Sequence, residues 1–179
     1  MKLLRLILSC LIPLSCNAVY SPAATAADNL VMRGTLVDAP CLLRPGDEAL
    51  VLDFGELVDK YLYSYSRTPS KRFELHLEGC DTSVFTSVKV TFNGTENTQL
   101  PGLLALDPGS MVQGVAIGME STTGTPLPIN IEGAATALQT GNTVLGFQAY
   151  VQGEPAALSG RTITHGSFNA TATFVLDYI

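Results

Sequence analysis

Hydrophobic and polar residues alternate with period two along most of the chain. Phe73, Leu75 and Leu77 interleave with Arg72, Glu74, His76 and Glu78. Val88, Val90 and Phe92 interleave with Lys89 and Thr91, and the pattern stops at Asn93-Gly94. Leu50, Leu52 and Phe54 repeat it up to Gly55, Val115, Ile117 and Met119 between Gly114 and Gly124, and Leu145, Phe147, Ala149 and Val151 further on. A strand points successive side chains to opposite faces, so each run predicts a strand with one buried and one wet face. Gly, Pro, Asn and Asp punctuate the gaps. No window predicts a long amphipathic helix; Gly133 to Gly141 is the one place where a helical turn is expected. Many short strands with no dividing linker predict one all-β domain, a sandwich or barrel.

Two end segments stand out. In Asp28 to Leu36, Leu30, Met32, Gly34 and Leu36 share one face of an extended strand, and Asn29, Val31, Arg33 and Thr35 share the other. This is either an ordinary first strand or an arm that leaves its own domain to complete a neighbour's sheet. A glycine on the apolar face weakens a strand, but suits a face that must pass close to a partner's backbone. At the other end, Phe168, Ala170, Ala172, Phe174, Leu176 and Tyr178 alternate without a break with Asn169, Thr171, Thr173, Val175, Asp177 and Ile179. This is either a core strand or one wall of an open groove, recognised by strand addition.

The N-terminus reads as an export signal. Lys2 and Arg5 precede a run, Leu6 to Leu14, that is apolar apart from Ser9 and too short to span a bilayer. Two cleavage points compete, one after Ala18 and one near Ala26 or Ala27. Either cut changes the picture of charge and cysteine. The full chain of 179 residues has a formal net charge of −6. Removal of Lys2 and Arg5 makes it about −8, which argues against a nucleic-acid or anionic-membrane surface binder. Cys10 and Cys16 leave with the signal, so Cys41 and Cys80 remain as an even pair in an oxidising compartment. A disulfide is the expected state, and closing that loop is worth roughly 4 kcal/mol in the chain-entropy model. There is no C-x-x-C, and two cysteines do not make a zinc site.

With these parts in place, the chain resembles the pilin subunits of chaperone–usher fimbriae. The resemblance rests on the arm with Arg33-Gly34, the Cys41/Cys80 pair, the strand from Gly114 to Gly118, and Phe147-Gln148-Ala149-Tyr150. It rests most on the ending, where Gly166 stands fourteenth from the end and Tyr178 is penultimate. DNLVMRGTLVDAPC and the ATATF of Ala170 to Phe174 look closest to minor tip and adaptor pilins of P-pilus-like systems.

The resemblance implies an incomplete immunoglobulin-like sandwich with one disulfide, completed by a donor strand. It implies a signal over residues 1–26 (or 1–18), a donor arm over 27–38, and a pilin domain over 39–179. The arm face would be Leu30, Met32, Gly34 and Leu36. The chaperone-binding groove strand would comprise Gly166, Phe168, Ala170, Ala172, Phe174, Leu176, Tyr178 and Ile179, with the Ile179 carboxylate meeting basic chaperone residues. Implied partners are a periplasmic chaperone, an outer-membrane usher and neighbouring pilins, on a route through the periplasm to the cell surface. No cofactor, metal, nucleic acid or membrane span is expected. The expected role is a minor structural pilin, a tip adaptor or linker. The alternatives are a terminating or anchoring pilin, and a self-contained secreted sandwich that binds a ligand. A tip adhesin would need a second domain for which the chain has no room.

The remaining chemistry is sparse. His76 falls on a wet strand face and His165 in a turn before Gly166, and both are expected to be solvated. No Ser/His/Asp set or phosphate loop is present, so no enzyme is expected. Tyr61, Tyr63 and Tyr65 alternate, which predicts an aromatic stripe on an extended segment used for packing. Asn93-Gly94-Thr95 and Asn169-Ala170-Thr171 match the glycosylation pattern but read as a turn and a strand.

Overall fold

The period-two runs become the strands of two facing antiparallel sheets in the computed structural model, which describes residues 39–179. The first sheet holds β1 (Leu42–Leu43), β2 (Lys71–Cys80), β6 (Gly141–Gly153) and β4 (Val115–Ser121), in the order β1-β2-β6-β4. The second holds β5 (Thr136–Ala137), β3 (Ser87–Asn93) and β7 (Thr173–Tyr178), in the order β5-β3-β7. The all-β expectation holds, with the immunoglobulin-like sandwich the resemblance implied.

Register explains the core. Phe73 of β2 lies opposite Phe147 of β6 and Leu75 opposite Leu145, while Ile117 of β4 lies opposite Val151. In the second sheet Phe92 lies opposite Phe174, Val90 opposite Leu176 and Val88 opposite Tyr178. The sheets lock together through aromatics. The Phe92 ring stands at 90° to Phe147 with centroids 5.1 Å apart, and at 70° to Phe73 at 6.0 Å. Such edge-to-face pairs add about 1 kcal/mol each beyond the area they bury. The Cys41–Cys80 disulfide forms, tying the segment before β1 to the last residue of β2.

Four expectations are corrected. Leu52 and Phe54 are half-buried beside exposed Val51 and Asp53, but Leu50 is 45% exposed and the segment belongs to no strand. Among the described residues no strand meets it, so its alternation has no ladder to join. Gly133 to Gly141 holds no helical turn; Thr136–Ala137 pairs instead with Ser87 and Val88, whose open edge captures it. The tyrosines lie on a helix, α1 (Asp59–Tyr65), not on an extended segment. There Tyr61 and Tyr65, one turn apart, bring their rings to 4.5 Å. Buried Leu62 anchors this helix, and Ser66 ends it in the left-handed region at φ 65°. Finally, His76 is half-buried rather than solvated. Its backbone N–H donates to Asp47 Oδ2 at 2.6 Å, and its ring Nδ1 lies 2.9 Å from the same oxygen. The backbone bond, then the ring, holds the Asp47 carboxyl below its ordinary range. His165 is exposed as expected, 3.2 Å from Asp59 Oδ2.

A second short helix, α2 (Pro155–Gly160), follows β6. Proline at its first turn presets φ and the alanines favour helix, but at six residues it falls below any periodic signal.

Candidate functional site: a groove beside the C-terminal strand

The free edge of β7 follows from its register. Ile179 exchanges both main-chain bonds with Ser87, its N–H donating to the Ser87 oxygen at 2.9 Å and its oxygen accepting from Ser87 N–H at 3.0 Å. In an antiparallel pair such bonded positions alternate with unbonded ones. Asp177, Val175 and Thr173 therefore also turn their polar groups toward β3. Phe174, Leu176 and Tyr178 turn theirs the other way, where the sheet has no further strand among the described residues.

The same parity continues upstream. Ser167 and Asn169 accept bonds from the Met111 and Asp107 N–H groups, at 2.9 and 2.8 Å. The Thr171 N–H and hydroxyl donate to the two Asp107 carboxylate oxygens, at 3.1 and 2.7 Å. The main chains of Phe168, Ala170 and Ala172 make no hydrogen bond among the described residues. Phe168 through Tyr178 thus presents one continuous row of unpaired N–H and C=O groups, and the residues of that row also point their side chains inward.

Those side chains meet a groove. It encloses about 1260 Å³, more than a typical small-molecule pocket and elongated along the strand. One wall is Gly166 to Phe174 and the other is the unpaired segment Glu48 to Gly55. Phe73 and Leu75 of β2, Phe92 of β3, Ile117 and Met119 of β4, and Ala149 of β6 line its floor. Phe168 and Phe54 face each other across it with ring centroids 6.4 Å apart. Along Phe168 to Tyr178 every even residue is half-buried and every odd one exposed. Burial still pushes the Tyr178 phenol above its ordinary value, so it is neutral at physiological pH.

Gly166 opens the strand for a steric reason. Its φ is 142°, and a Cβ there would stand 2.5 Å from Met111 Cβ. No other residue fits without moving that neighbour.

Of the residues singled out in the sequence, Gly166, Phe168, Ala170, Ala172 and Phe174 line the groove. Leu176 and Tyr178 continue its edge opposite Val90 and Val88, and Ile179 is tied to Ser87. The expected continuous strand from Phe168 divides into an unladdered part and β7, because the segment at 107–111 gives it only two main-chain bonds, to Ser167 and Asn169, and holds Thr171 by a side chain. Sequence reasoning missed the second wall. Its signal, Leu50-Leu52-Phe54, was visible but reads as a paired strand. The arm residues Leu30, Met32, Gly34 and Leu36, and the signal segment, lie outside the described residues. No group of three or more potential metal ligands occurs among the described residues, and no described helix is long and apolar enough to cross a membrane.

Fold and groove define a class: a two-sheet β-sandwich left open along its C-terminal edge strand. The comparisons narrow it. The family model described as fimbrial protein matches residues 30–179. The fimbrial-like protein YfcP of Escherichia coli K12 is 37% identical over 90% of this chain and 89% of its own length. The fimbrial adapter PapK of Escherichia coli is 32% identical over 90% of this chain and 93% of its own. The crystal structure of the P pilus rod subunit PapA superposes with a TM-score of 0.68 at 27% identity, covering 79% of this chain and all of that one. The chain belongs to the fimbrial protein family. It is a structural subunit of a chaperone–usher-type fimbria, an exported cell-surface fibre in which it contacts other pilins, and not an enzyme.

Proposed function

We propose that the groove is a strand-acceptor site. A periplasmic chaperone fills it first, and at the usher the N-terminal arm of a neighbouring subunit replaces that strand. The observation that carries this reading is the coincidence along Phe168 to Tyr178 of an unpaired backbone edge with a half-buried apolar face. Either alone is common; together they describe a sheet that lacks one strand. In exchange, residues 27–38 act as this chain's own donor arm, through Leu30, Met32, Gly34 and Leu36, once the signal over 1–26 is removed.

We further propose a minor role, as tip adaptor or linker, supported by the similarity to PapK. A terminating subunit needs a groove that no arm enters. The groove volume of about 1260 Å³ and the unpaired edge along Phe168 to Tyr178 favour a subunit that accepts one.

The test starts from the chaperone-bound subunit. A synthetic arm peptide from another subunit is expected to displace the chaperone; a chaperone that stays bound would identify a terminator. For the arm, Gly34→Arg should leave chaperone binding intact and abolish incorporation into fibres. Normal incorporation would remove residues 27–38 from the account.

A further inference from the structure

The groove walls carry charge of one sign. Glu48 and Asp53 stand exposed on the unpaired wall, and Asp107 stands beside the C-terminal wall, bound to Thr171. Among the described residues no Lys, Arg or His lines the groove. Lys71 donates to the main-chain oxygen of Asp53, but does not itself line it. The outward residues of the C-terminal wall, from Ser167 to Thr173, are all uncharged.

A strand lying along the free edge sends alternate side chains to the apolar floor and the others out between the two walls. The floor therefore reads one half of the occupant, and the rims meet the other half. We propose that the groove selects a strand with an alternating apolar inner face and a cationic outer face, with Glu48, Asp53 and Asp107 as the residues that read its charge. This rests on the strand-acceptor reading and adds the chemistry of the preferred occupant. Exposed carboxylates at a rim act on encounter more than on the final complex, and salt screens them within about 8 Å at physiological ionic strength.

The test uses three synthetic strands with identical apolar inner residues and Lys, Ser or Glu at the outward positions. Their rates of displacing the chaperone from the chaperone-bound subunit are measured at low and at high salt. The expected order is Lys, then Ser, then Glu, with about three- to tenfold between neighbours at low salt and a compressed order at high salt. In the double variant Glu48→Gln, Asp53→Asn the ratio of the Lys-strand rate to the Glu-strand rate should shrink toward one, and an unchanged ratio would overturn the charge reading. Equal rates for all three strands at low salt would overturn the charge reading and leave the strand-acceptor reading standing. Failure of every strand to bind would overturn both.

Discussion

β2 and β7 carry the same alternation, yet they are finished to different degrees. Leu75 and Leu77 of β2 are 0% exposed, because β1 and β6 flank that strand and the second sheet covers its inner face. The inward residues of β7 stop at half-burial, because among the described residues only β3 flanks it and a groove lies on its other side. The difference lies in neighbours, not in the residues themselves. Apolar side chains are committed to a core that one strand has yet to close. That leaves an apolar surface and an open edge together, the combination that drives strand capture or aggregation.

The largest expected effect breaks this comparison at matched sites. Leu77→Ala should lower unfolding free energy by roughly 3 kcal/mol whether or not the groove is filled, since it removes a fully packed side chain that does not line the groove. Phe168→Ala should cost under about 1 kcal/mol in the bare chain and about 3 kcal/mol once a strand occupies the groove. Denaturant titrations of both variants with and without a bound strand check this. Equal costs for Phe168→Ala in the two states would mean that its side of the groove is already closed.

A smaller effect concerns the entry to the open wall. Gly166→Ala should destabilise the fold by about 1–3 kcal/mol, since both its φ and its approach to Met111 exclude a Cβ. Pairing it with Met111→Ala should recover part of that loss. No recovery would place the cost in the backbone angle alone.

The smallest effect belongs to the closed half. Arg67 donates to both Glu120 carboxylate oxygens at 3.1 Å and stacks 3.6 Å from the Tyr150 ring centre. Burial pushes the Glu120 carboxyl up, but the bonds from Arg67 and Ser70, with the Arg67 charge, outweigh it and leave it below its ordinary 4.5. A depressed carboxyl contributes stability that is present above 4.5 and lost as pH falls through the lower folded value. Melting temperature should therefore fall on acidification below that point, with Asp47 acting in the same direction. Glu120→Gln should flatten part of that acid limb, and an unchanged limb would assign it to other carboxylates.

Alternation made the main strands legible. Phe73-Leu75-Leu77, Val88-Val90-Phe92 and Leu145 to Val151 each became the strand they predict, because each had partners on the page of the fold to match their pattern. The same signal misled at Leu50 to Phe54, since alternation reports which side chains face inward and not whether a neighbour exists to bond the backbone. It misled again at Tyr61 to Tyr65, where Tyr61 and Tyr65 share a face in either period, Tyr63 does so only in a strand, and the helix that forms buries Leu62. In the candidate site, the apolar row from Phe168 to Tyr178 could be read directly. The Asp107–Thr171 bond and the Gly166–Met111 approach could not, because they join positions more than fifty residues apart.

The central claim is that the sandwich lacks one strand. The most direct measurement compares thermal unfolding of the mature chain alone with that of the same chain carrying a flexible linker and an alternating donor strand after Ile179. The account predicts that the extended chain melts more sharply and at least about 10 °C above the bare one. A bare chain that stays monomeric and melts at the same temperature, with the same cooperativity, would contradict it.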